Sequence, residues 1–154
     1  MRDLVVAAIV AGHLLLGVGW FGAMGYSLFV LQPKATAYFG ADDDAHEEFL
    51  TTVAHGARWK VVGLLAALGG TGAGLVLLAG HRSGWWWAAV GGKAALLCLA
   101  AVVFWQVSWR LWPARVFALP AERPAIRRRF RLAALTLLGC ATAASVLGVA
   151  LRLL

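Results

Sequence analysis

The sequence predicts an all-α polytopic membrane protein, a four-transmembrane-helix bundle with up-down-up-down topology. Three observations carry this: an apolar composition, four long apolar runs, and basic residues concentrated on one side. Of 154 residues, 62% are hydrophobic, only 14% are charged, and the mean hydropathy is +0.79. Globular chains are about half apolar and about a quarter charged, so disordered, collagenous and ordinary soluble classes are excluded.

The spans fall at about 4–31, 54–79, 85–111 and 130–154, forming one four-helix transmembrane domain over 1–154. Each exceeds the ~20 residues that cross ~30 Å of hydrocarbon at 1.5 Å per residue. The first is about twice a signal-peptide core in length and has no small-residue cleavage site after it, so it is expected to persist as a helix. Open sheet is excluded because lipid cannot pair free backbone groups, and the runs are too long for barrel strands. Glycines fit helices here, since small residues let membrane helices approach closely; Gly139, Ala143 and Gly148 form one such face.

Pro33 is expected to end the first helix, and Pro113, Pro120 and Pro124 to keep the third connection non-helical. The connections then hold about 22, 5 and 18 residues, and short ones favour antiparallel neighbours. No internal repeat, low-complexity tract or second domain is visible.

Ten of the 14 basic residues (Lys34, Arg58, Lys60, Arg110, Arg115, Arg123, Arg127, Arg128, Arg129 and Arg131) belong to the side of the first and third connections. Arg2, Arg82 and Arg152 lie on the other side and Lys93 within a span. The positive-inside rule puts the two long connections in the cytoplasm and both termini outside, in a bacterial inner (plasma) membrane. The arginine run at 127–131 reads as topology and anionic-lipid contact, with no nucleic-acid partner, because no nucleic-acid-binding fold accompanies it. Trp85, Trp86, Trp87, Trp109 and Trp112 read as interfacial belts.

Polar groups inside a span are costly and therefore informative. His13 lies ~14 Å and Lys93 ~12 Å from the terminal side at 1.5 Å per residue, so two separate spans put a histidine and a lysine at one depth. Three readings remain open: a cofactor site using two nitrogen donors, a proton or ion path, and plain structure with Lys93 snorkelling and His13 bonding across helices. Gly12 and Gly17 near His13, and Gly91 and Gly92 beside Lys93, leave room for a planar ring. His13, Gly17, Trp20 and Met24 share one helical stripe.

Weaker candidates are His55, at the start of the second span, and Met24. Cys98 and Cys140, near mid-span on antiparallel helices, are placed to meet and to offer soft donors for copper beside Met24. His81 falls in a short turn and reads as solvated. The run Asp42, Asp43, Asp44, His46, Glu47 and Glu48 holds hard ligand types but matches a helix N-terminus better than any metal loop. All seven acidic residues lie outside the spans, which disfavours hydrolase and kinase chemistry.

His13, six residues, then Trp20-Phe21-Gly22, with Phe29 and Pro33 following, resembles the first helix of the CopD-like superfamily of small bacterial membrane proteins. Thr71-Gly72 in the second span, and Lys93 early in a third span ending near Pro113, continue the likeness. The resemblance implies either a haem-b-containing four-helix protein of the HemJ-type protoporphyrinogen oxidase kind or a copper-resistance membrane protein. In the former, the first-helix histidine and third-helix lysine fall on His13 and Lys93, with Trp20 beside the cofactor. This chain departs by having Gln32-Pro33-Lys34 and no histidine after the first span, and no acid in the last. The expectation is a haem b redox protein with a membrane redox partner, or alternatively a copper-handling protein, or an accessory subunit or homo-oligomer packed in a larger complex.

Overall fold

The computed structural model describes residues 1–80 and 83–153, with side chains through Leu151. His81, Arg82 and the Arg152 side chain lie outside the described residues. The described residues form five helices: α1 (Arg2–Phe39), α2 (Asp43–Ala54), α3 (Ala57–Leu78), α4 (Gly84–Val116) and α5 (Arg123–Leu153). No strand occurs among the described residues. Helices α1, α3, α4 and α5 are each long and apolar enough to span a membrane, so the chain is an all-α, four-span membrane protein.

Both spans that contain a mid-sequence proline run further than expected. The helix α1 continues through Pro33 to Phe39, and α4 through Pro113 to Val116. In each, a π turn precedes the proline, at Ser27–Leu31 and Val107–Leu111. The Gln32 N–H bonds the Ser27 carbonyl and the Trp112 N–H bonds the Val107 carbonyl, five residues back in each case. This register moves the carbonyl that a proline ring would strike, and the helix passes through instead of stopping.

The third connection therefore shrinks to residues 117–122, with Pro124 inside the first turn of α5, where its missing N–H costs nothing. The first connection is not a loop either: α1 turns at Gly40, whose φ of 56° requires glycine, and the chain re-enters helix as α2. Asp42 caps α2 by accepting from the Ala45 N–H at 3.0 Å, and Asp43 and Asp44 follow in the first turn. The acidic run is thus a helix start, as its composition implies. Gly56, with φ of 72°, breaks α2 from α3. His55 closes α2 with extended backbone and is exposed, so it does not begin the second span as expected.

Around the bundle the order is α3, α1, α5, α4, with α1 packed along α3 and α5, and α4 along α5. The two spans joined by the shortest turn, α3 and α4, pack over a smaller stretch, while α1 and α4 lie across the diagonal. One core knits the four together: Trp20, Leu68, Ala100, Phe104, Leu137 and Cys140. Outside it, Leu15, Val18, Leu77, Val102 and Val146 are exposed, which suits a lipid solvent rather than water.

The placement of features in α1 and α4 repeats. Pro33 follows His13 by 20 residues and Pro113 follows Lys93 by 20, and each π turn begins 14 residues after the polar group. Trp20 and Ala100, seven residues on, are both buried, as are Leu28 and Ser108, fifteen on.

Candidate functional site

His13 and Lys93 hold equivalent places in these two diagonal helices, and both are half-buried in the bundle. Each also leans on a glycine of its packing partner. A Cβ at Gly72 in α3 would stand 3.5 Å from His13 Cε1, and one at Gly148 in α5 would stand 3.1 Å from Lys93 Nζ. Gly148 is therefore turned to the inside of the bundle and does not belong to an unpartnered outer face.

The imidazole is held on one side. His13 Nδ1 lies 2.7 Å from the Thr71 hydroxyl, which itself bonds the Ala67 carbonyl at 2.7 Å. A side chain added at Gly12, Gly17 or Gly91 would meet nothing within 4 Å. Trp20 lies two turns from His13 and is buried in the core, its indole N–H without a partner among the described residues.

The other candidates do not join this region. Met24 packs on the core from the Trp20 side, and His55 is exposed at the opposite end of the bundle. Cys140 is buried in the core while Cys98 is exposed, so the two thiols expected to meet face different surroundings and both are free. Among the described residues no three His, Cys, Asp or Glu side chains gather as a metal cluster.

At the end away from the termini the structure builds a second polar centre, joining arginines read from sequence as topology and lipid contact to the acidic run read as a helix start. Glu47 of α2 accepts from Arg115 Nε and Arg127 Nε, each at 2.7 Å. Asp43 pairs with Arg127 at 3.0 Å and Asp44 with Arg123 at 2.8 Å. The His46 ring is buried beside Phe39, with ring centroids 6.0 Å apart and no partner on Nε2 among the described residues. Burial, then the Arg127 charge, holds its pKa below the usual histidine value, with Arg115 adding and Glu47 and Asp43 opposing. For Glu47, burial alone would raise the pKa, but the two arginine hydrogen bonds outweigh it and hold the carboxyl below its ordinary range. Sequence separations of 68 to 84 residues hid these contacts, although matched runs of acid and base were visible.

No family model, curated protein or solved structure matches the chain.

Proposed function

We propose that this is a multi-pass protein of the bacterial inner membrane that binds one b-type haem in the outer half of its bundle and serves electron transfer or porphyrinogen oxidation. The observation that carries the reading is that two nitrogen donors, His13 and Lys93, are both half-buried at matching places in diagonal helices, each against a glycine of its packing partner. The donor set suits the group: imidazole is a common axial ligand of haem iron, and the glycines at 12 and 17 near His13 and at 91 and 92 beside Lys93 add no side-chain bulk there. His13 would hold the iron, and Lys93 would serve as second ligand or as counter-charge to a propionate. Bound haem would supply one-electron chemistry, while the chain supplies orientation and a dry surrounding.

The CopD-like spacing of His13, Trp20, Thr71-Gly72 and Lys93 supports the same assignment. The positive-inside rule supports the orientation, with Lys60, Arg110, Arg128, Arg129 and Arg131 at the end proposed to face the cytoplasm. The test is the visible spectrum of detergent-purified protein from cells with ample haem, oxidised and then reduced, beside His13→Ala. A Soret band with sharp reduced bands, lost in the variant, is expected. A featureless wild-type spectrum overturns the reading.

A further inference from the structure

We infer that Thr71 is a positioning residue that fixes His13 as the Nδ1–H tautomer and leaves Nε2 as a bare electron-pair donor for an electron-pair acceptor such as haem iron. The argument is one of proton counting. A threonine hydroxyl has a single proton to donate. Thr71 Oγ1 lies 2.7 Å from the Ala67 carbonyl and 3.2 Å from the Leu68 carbonyl, both one turn back in α3. Main-chain carbonyls can only accept, so the hydroxyl proton is committed to its own helix. Toward His13 Nδ1, 2.7 Å away, the same oxygen can then only accept. The Nδ1 atom must carry the hydrogen.

A neutral imidazole has one N–H, so Nε2 keeps its lone pair. The choice of tautomer is thus written by the hydroxyl of a different span, and the chain His13 Nδ1–H to Thr71 Oγ1 to Ala67 carbonyl is complete without water. Contact with Gly72, where a Cβ would sit 3.5 Å from Cε1, sets the ring against α3 on the same side. This is the arrangement by which metal-bound histidines are usually oriented, with the second nitrogen anchored by a neighbouring acceptor.

The ligand class rests on the haem reading, but the tautomer does not, and the experiment separates them. Protein with ¹⁵N-labelled histidine, purified without haem in micelles, is measured by NMR, with the His13 signals identified by their loss in His13→Gln. A protonated Nδ1 and an unprotonated Nε2 are expected in the wild type. Thr71→Val keeps the branched shape without the acceptor and is expected to release the ring to the Nε2–H form, while Thr71→Ser restores the original. An Nε2–H ring in the wild type, or an unchanged ring in Thr71→Val, overturns the proposal. Titration with hemin alone supplies the second readout: about 10- to 100-fold weaker binding in Thr71→Val, rescued by Thr71→Ser, is expected for an anchoring partner of a ligating histidine. Hemin binding that Thr71→Val leaves unchanged overturns the positioning role. A confirmed tautomer in a protein that ignores hemin sinks the haem reading alone.

Discussion

Arg58 of α3 donates from Nη2 to the main-chain carbonyl of Ser108 at 2.6 Å, and that carbonyl is one the helix itself cannot satisfy. In the five-residue register begun by Trp112, the next donor would be the N–H of residue 113, which is proline. A buried carbonyl in a span is expensive, so a neighbouring helix supplies a guanidinium, which also lies over the Trp109 ring at 4.9 Å from its centroid. Arg58→Met is expected to cost about 1.5–3 kcal/mol, as for a hydrogen bond to a charged group. In Arg58→Met with Pro113→Ala, the restored N–H recovers part of that loss. Unfolding of the four members of this cycle in mixed micelles checks the coupling, and simple additivity would contradict it.

Acid should undock α2. His46 is held neutral below the usual histidine pKa by burial and the Arg127 charge, so its contribution is full above about pH 6.5 and is lost as pH falls below that value. Asp43, held low by the Arg127 hydrogen bond, and Glu47, held low against burial by Arg115 and Arg127, add stability that disappears further down, below about pH 4. All three signs agree. Amide exchange in α2 is expected to quicken between pH 7.5 and 5, after correction for the intrinsic rate, while α3 stays protected. His46→Phe should remove the part above pH 5.

Trp20 presents an indole N–H to the core with no acceptor among the described residues. Trp20→Phe removes that orphan along with some volume and is expected to cost less than about 1.5 kcal/mol, whereas Trp20→Ala opens a cavity and costs about 3–5 kcal/mol. Equal losses in the two variants would show that the N–H has a partner.

Gly148 sets the room around Lys93. A Cβ there would lie 3.1 Å from Nζ, the far end of a flexible chain that can retreat by a few tenths of an ångström, so Gly148→Ala should be nearly neutral in stability. A bulky replacement, Gly148→Leu, should evict the ammonium from the interior. Labelling Lys93 with an amine reagent distinguishes the two, with reactivity unchanged in the first and raised severalfold in the second.

The spans and their number were legible because hydropathy and rise per residue are local quantities. Pro33 and Pro113 misled because a proline ends a helix only in the ordinary register, and nothing in the residues Ser27–Leu31 announces a π turn. The matched spacing of features in α1 and α4 is hard to see in the residues, because the corresponding positions carry unlike chemistry: histidine against lysine, Trp20 against Ala100, Leu28 against Ser108. Cys98 and Cys140 were matched by depth, but depth says nothing of rotation about a helix axis, and the structure buries Cys140 while leaving Cys98 exposed.

The most direct measurement is a hemin titration of purified haem-free protein, with His13→Ala and His55→Ala beside the wild type. The account predicts a Soret change that saturates at one haem per chain, is abolished in His13→Ala and is unaltered in His55→Ala, because His55 stands exposed at the far end of the bundle. A titration that is the same in wild type and His13→Ala, or that never saturates, would contradict it.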